Sequence, residues 1–344
     1  VRRRASLVLL ALAVCCTALS PLLRLYAVPR LVAVPADTYQ AVVMEAEDAT
    51  LVDYATLRAR RVPRLVMVQS LRGDVPAARR IKAATGRDVV VWDTLVHAAT
   101  SDGTLVSRIP ERYVFDARTQ QPVHAGGEHV DGTPVTRDGI EYKWPFFTEK
   151  RDYRYFDLMT RTSAPIHYKG TRTFHGLTVY RFEQTIPWTP VPLPRQLPLG
   201  VTPETVTAMG LERWYSTTRT FLVEPVTGAP VDGEELHREE MRWTGQPEKD
   251  PVPAFSGHVR MRADYVRHTV AQVAGQRRLI LLLRSWLPWG LPPLGAALLA
   301  AALILEARDR RAFRDPGAHD GGKPERVTPA QGARGATATQ GGPP

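Results

Sequence analysis

Two apolar runs, one near each end, constrain how this 344-residue chain can fold. Ala5–Leu23 (ASLVLLALAVCCTALSPLL) and Ser285–Leu305 (SWLPWGLPPLGAALLAAALIL) carry no charged side chain. Each is long enough to cross a bilayer core as a helix, for which about 20 residues suffice. Arg2–Arg4 precede the first run, and Arg308, Arg310, Arg311 and Arg314 follow the second. Flanking cations stay on the cytoplasmic side of a membrane, so both ends are expected inside and the stretch between, about Arg24–Arg284, outside. Leu25, Tyr26 and Ala27 make a poor cleavage site, so the first run reads as a retained anchor rather than a removed signal. Cys15 and Cys16 lie within it and are the only cysteines, so no disulfide framework exists. A lipid-modified cysteine wants a small residue before it, whereas Val14 stands there, and the pair reads as apolar spacers. Trp286 and Trp289 are placed to sit at a membrane interface.

The stretch between the spans reads as β-structure punctuated by turns. Leu31–Val34, Tyr39–Met44, Leu65–Gln69 and Val89–Val96 are Val- and Leu-rich strand candidates. The best-patterned part is Tyr142–Pro187, where Ile166–Phe174 and Leu177–Gln184 predict a hairpin turning at His175 and Gly176. Alternation puts Ile166, Tyr168 and Phe174 on one face, and His167, Lys169, Thr171 and Thr173 on the other. The second strand carries apolar groups on both faces, Leu177 and Val179 on one, Tyr180 and Phe182 on the other. Two short helices are expected. One is capped by Asp74, has Pro76 in its first turn and stops at Gly86; the other opens with Thr202, Pro203 and Glu204 and stops at Gly210.

A weak internal repeat joins Tyr113–Val123 (YVFDARTQQPV) to Phe221–Val231 (FLVEPVTGAPV). It matches Asp116 with Glu224, Thr119 with Thr227, and Pro122 with Pro230. The form predicts strand, turn, strand, with the acid accepting backbone N–H groups across the turn and the threonine closing it. Thr185–Gly200 holds Pro187, Pro190, Pro192, Pro194 and Pro198, and is expected as a stiff strap over the core, outside any central strand. From Ala263 the pattern turns helical and runs into the second span. The fold class is therefore mainly β (α+β). Residues 1–28 form the anchor, 29–262 an extracytoplasmic β-rich domain, 263–305 a helix entering the second span, and 306–344 a basic flank with a disordered tail.

The net charge of +10 is shared among Arg2–Arg4, the tail and the middle, with no Lys/Arg cluster interleaved with aromatics, so nucleic acid is not an expected partner. No nucleophile elbow, P-loop or dinucleotide fingerprint is present, and no enzymatic activity or cofactor is expected. His124, Glu128, His129 and Asp131 form a tight polar group, but the glycines between them argue for a β-turn over a metal site. Glu234–Glu235 and Glu239–Glu240 are sequence neighbours, which a strand sends to opposite faces, and they read as a solvated face. The remaining signal is apolar. A cavity is expected between Tyr180, Phe182 and the strap residues Trp188, Leu193 and Leu197, as a site for a hydrophobic ligand. Trp144, Phe146, Phe147, Tyr155 and Phe156 serve equally well as ordinary core.

Lys143-Trp144-Pro145-Phe146 with Thr148-Glu149-Lys150, Gly176–Phe182, and Val223–Gly228, together with the spacing of the two spans, resemble an actinobacterial family of membrane proteins, porin PorA. The likeness covers nearly the whole chain except the tail and implies a membrane protein class with no active site. The arrangement of two spans around a β-rich domain is also similar to that of scavenger receptors of the CD36 type, which implies an apolar ligand. The reading is a two-span membrane protein whose outer domain binds or transfers an envelope lipid or other hydrophobic ligand. Its partners would be membrane lipid and other envelope proteins. The alternative is a structural or interaction module of the envelope, with an envelope hydrolase and a porin ranked behind.

Overall fold

Alternating apolar positions assemble twelve strands into one antiparallel sheet in this computed structural model, which describes residues 2–54, 56–197 and 200–314. The expected tail lies outside the described residues. The strands are β1 (Tyr39–Asp53), β2 (Arg58–Gly73), β3 (Val89–Thr100), β4 (Leu105–Asp116), β5 (His129–Val130) and β6 (Thr133–Pro134), then β7 (Tyr153–Asp157), β8 (Thr162–Phe174), β9 (Leu177–Pro190), β10 (Leu211–Glu224), β11 (Ala229–Trp243) and β12 (Val252–Met261). Each pairs with its neighbour in sequence, except at the centre. There β1 lies between β2 and β12, with Met44 opposite Met261 and Leu51 opposite Phe255.

The sheet curls until its two short edges face each other. Phe156 of β7 packs with Ile109 of β4 and Val130 of β5. Arg137, fully buried, reaches Glu111, Glu141 (2.9 Å) and Glu128 (3.4 Å) and lies 4.5 Å from the Phe156 ring centroid. Its fork of donors suits such a bridge. Short edge strands that are covered in this way cannot template pairing with another chain.

The helices follow the sequence signals. The first is α1 (Arg2–Leu22), continued through a π-helical turn (Leu23–Ala27) into α2 (Val28–Leu31). Then come α3 (Val75–Thr85) and α4 (Pro203–Ala208), capped by Asp74 and Thr202, whose side chains accept from Ala77 N and Thr205 N. Finally α5 (Ala263–Leu281) passes through a π-helical turn (Leu282–Trp286) into α6 (Leu287–Arg314). Arg4–Arg30 and Ala263–Arg308 are long and apolar enough to cross a membrane. The chain divides into two compact units. In the first, α1 up to Thr17 packs on α6 from Pro292, where Ser6 donates to Ala302 O (3.3 Å) and Gly295 leaves room for Ala13 and Thr17. Small residues let spanning helices approach closely. The second unit, Ala18–Leu291, holds the sheet.

Three expectations need correction. Residues 31–34 are not a strand: the helix runs to Leu31, and Val34 N then donates to Ala117 O (2.8 Å). The hairpin turns at His175 and Gly176 as expected, both at positive φ, but a bulge between Tyr168 and Gly170 shifts the pairing. One extra residue reverses the faces beyond it. Thr171 therefore sits beside Tyr168 (2.7 Å), while Phe174 joins Leu177 and Val179. Last, β9 continues through Pro187 to Pro190 rather than ending as a strap at Thr185. β8 stops pairing with it at Glu183, so this half of β9 has β10 on one side only, where proline's missing N–H leaves no ladder bond unmade.

Candidate functional site

Curling turns one face of the sheet inward, and the inner side chains leave a cavity of about 1290 Å³. That exceeds the ≈ 300–1,000 Å³ range of drug-sized ligand pockets. The wall is mainly apolar, with Met44, Leu65, Met67, Trp92, Ala98 and Phe255 among its residues. It reaches both ends of the strands. At the end where α2 enters and α5 leaves, the base, it includes Tyr39, Lys143 and Ile280; at the opposite end, the tip, it includes Tyr54, Leu105 and Leu197. A strand advances about 3.3 Å per residue, so Gln40 to Asp53 on β1 covers on the order of 40 Å. Helix α5 contributes Tyr265, Thr269, Gln272, Gln276 and Ile280, a single face at helical spacing.

A charged ladder interrupts the apolar wall on β10 and β11. Arg213, Tyr215 and Arg219 alternate along β10, and Glu235, His237 and Glu239 along β11, so all six point inward. Arg213 donates to Glu239 (2.8 Å), and His237 lies between Glu239 (2.6 Å) and Glu235 (2.9 Å). Arg219 bonds Asp157 of β7 (2.5 Å) and Tyr215 Oη (2.6 Å), whose hydroxyl also reaches Glu235 (3.0 Å). Burial alone would lower the His237 imidazole, but its hydrogen bonds to both glutamates push it up to about 9. Burial likewise opposes ionisation of Glu239, yet Arg213 and His237 hold it down at about 2. Glu235 is held low against burial by Arg219 and His237. Three cations thus alternate with three carboxylates, which neutralises a buried row of charge. Glu235 and Glu239 are correspondingly not on a solvated face, whereas Glu240 pairs with Arg242 and Glu234 with His258.

A separate cation, Lys143, lines the base of the cavity. Burial pulls its ammonium down to about 7, with Glu224 acting in the opposite sense. Its Nζ donates to Trp144 O (3.0 Å) and lies 3.7 Å from the Phe146 ring centroid.

The residues singled out from sequence are not brought together around one space. Leu197 lines the cavity near the tip, beside Pro194. Phe182 is fully buried against Trp144 (centroids 5.1 Å) and Tyr153, and Tyr180 packs on Tyr168. Trp188 lies against Arg242 (4.9 Å), and Leu193 packs on the cluster of Val206, Leu211 and Met241. Of the five residues Tyr180, Phe182, Trp188, Leu193 and Leu197, Leu197 alone lines the cavity on the inner face; residues 198–199 are outside the described residues. Of the polar loop group, Glu128 turns inward to Arg137, and Asp131 accepts from Arg195 N (2.7 Å). The ladder escaped sequence reading because its residues alternate. The available signal was the Glu-x-His-x-Glu pattern of β11 opposite Arg213 and Arg219 in the preceding hairpin strand.

A family model described as Porin PorA matches residues 5–304. A protein named Porin PorA from Corynebacterium resistens is 27% identical, over 61% of this chain and 69% of its own length. Another of that name, from Corynebacterium amycolatum, is 25% identical over 62% of this chain and 72% of its own.

Proposed function

Because the chain belongs to the Porin PorA family, we propose that it is a two-span membrane protein whose β-rich domain, on the outer side of the cell membrane, binds or transfers an envelope lipid or other apolar ligand. Arginines flanking both spans support the orientation, with both ends cytoplasmic. The observation that carries the ligand reading is the cavity of about 1290 Å³ with its mainly apolar wall. Removing apolar surface from water is favourable at roughly 25 cal/mol per Å², so an acyl chain gains by entering such a space. No reaction is assigned to the domain.

The name of the relatives raises a second reading, a pore. A pore made by a membrane-spanning barrel needs an outward apolar band on its strands. Among the described residues, exposed large apolar side chains concentrate on α1 and on α5–α6, and the sheet contributes few, such as Tyr39, Leu105 and Leu236. Helices therefore suit the membrane and the sheet suits water, which favours the ligand reading; a domain serving only as an envelope scaffold would have no use for the cavity. The test uses the full chain in detergent, washed to remove boundary lipid and then extracted for mass spectrometry. A retained lipid is expected in the unaltered chain and should be reduced in Ala98→Trp, which narrows the cavity. Equal lipid in both proteins, or none in either, overturns the reading.

A further inference from the structure

Lys143 lines the base of the cavity with no carboxylate in contact among the described residues, and burial leaves its amine only part-protonated near neutral pH. Its backbone is fixed on both sides. Tyr142 and Phe147 adopt left-handed φ (60° and 56°), Trp144 N donates to Gly228 O (2.9 Å), and Thr148 N donates to Pro225 O (2.7 Å). The side chain is thereby presented to the base of the cavity. Among the described residues no carboxylate lies within 4.0 Å of its ammonium, and Trp144 O is its one hydrogen-bond acceptor. Glu224 is the acid that influences it most, but that carboxylate is already committed. It accepts from Val226 N (3.1 Å), Thr227 N (2.8 Å) and Thr227 Oγ1 (2.8 Å), and it pairs with Arg277 (3.3 Å). An ammonium has three donors, so two of them remain for another partner. Interiors exclude cations that lack a counter-charge, because desolvation is costly. This one stands on an apolar wall with Tyr142, Phe146 and Ile280 also lining the base.

We propose that Lys143 receives the head group of a single-chain amphiphile bearing one negative charge, a fatty carboxylate, whose tail runs along the apolar wall toward the tip. One ammonium matches one carboxylate in charge, and its free donors match the carboxylate's oxygens. The arrangement rests on the ligand-binding reading of the cavity and adds to it the chemistry and the end at which the head is held.

The test uses the full chain in nanodiscs of zwitterionic lipid, exposed to diazirine analogues of palmitic acid and of hexadecanol, with crosslinks located by mass spectrometry. The acid should label cavity residues about tenfold more than the alcohol, the ratio that a charge-assisted hydrogen bond supports. Lys143→Met should abolish that preference while alcohol labelling persists, and Lys143→Arg should keep much of it. Equal labelling by both probes in the unaltered chain, or an unchanged preference in Lys143→Met, overturns the role of Lys143 and leaves the cavity reading standing. Absence of cavity labelling by either probe overturns both. Thermal unfolding supplies an independent readout. In delipidated protein, removal of an uncompensated cation should leave Tm unchanged or raised, and a lowered Tm in Lys143→Met there would mean that the ammonium ties the fold together, contrary to the proposal.

Discussion

At the scale of single residues, His237 shows how the sheet keeps charge inside. Its ring lies between Glu235 and Glu239 of its own strand. Arg213, Tyr215 and Arg219 stand on β10, Asp157 on β7, and the Phe255 ring of β12 is 4.8 Å away. The folded chain raises the imidazole from 6.5 to about 9. The stability this adds is fully present below pH 6.5 and is lost as pH rises through about 9. Glu239, lowered from 4.5 to about 2, adds stability that is present above pH 4.5 and is lost as pH falls through about 2. On the alkaline limb of unfolding followed against pH, His237 should remove roughly 3 kcal/mol between pH 6.5 and 10, while Lys143, whose ammonium burial lowers to about 7, adds stability in the opposite sense over the same range. His237→Gln should remove that loss, so its limb should climb relative to that of the unaltered chain between pH 6.5 and 10, and parallel limbs would exclude this role. None of the ladder was legible while acids were compared only with their immediate neighbours. Period two is the relevant spacing in a strand, and it separates Glu235 from Glu234 as surely as it unites it with His237.

At the scale of elements, local chemistry predicted well and pairing context did not. Both caps, the His175–Gly176 turn and the two repeated turns follow directly from residue type. Asp116 accepts from Arg118 N (3.0 Å) and Thr119 N (2.9 Å), as Glu224 does from Val226 N and Thr227 N, and each threonine hydroxyl closes back on its acid. The turns differ one residue later. Gln120 has φ 61° and bonds Ala117 O through its side chain (3.0 Å), whereas Gly228 has φ 71° and faces a backbone. A Cβ at Gly228 would lie 2.2 Å from Trp144 O. Gly228→Ala should thus cost more than about 2 kcal/mol, combining backbone strain with displacement of 144–148. Gln120→Gly should cost less than about 1 kcal/mol, because relief of the left-handed φ offsets the lost hydrogen bond. Denaturant midpoints of the two variants decide this, and equal losses would count against docking at Gly228. The bulge at Lys169 and the extension of β9 past Pro187 were illegible because each depends on what the neighbouring strand does, which alternation along one strand does not encode.

At the scale of the whole molecule, the apolar runs and their flanking arginines made the two helices and the β-rich middle readable, but the inward curl of the sheet was not. It arises from contacts far apart in sequence, such as Arg137 with Glu111 and Phe156 with Ile109. The proposed orientation places the sheet outside the cell membrane. A reporter that works only after export, inserted at the exposed Gly126, should be active, and one that works only in the cytoplasm should be silent; the reverse pattern would refute the orientation. The junction of β1 with β12 at the centre of the sheet also sets an order in time. β1 is complete at Asp53, and about two hundred residues must follow before β12 begins at Val252. Throughout that interval a chain emerging N-terminus first has one side of β1 unpaired, and such an edge invites wrong partners. The last strand made is the one that closes the middle of the sheet, so a ribosome stalled late in the message leaves two half-sheets with a raw seam between them, a natural target for chaperones and proteases.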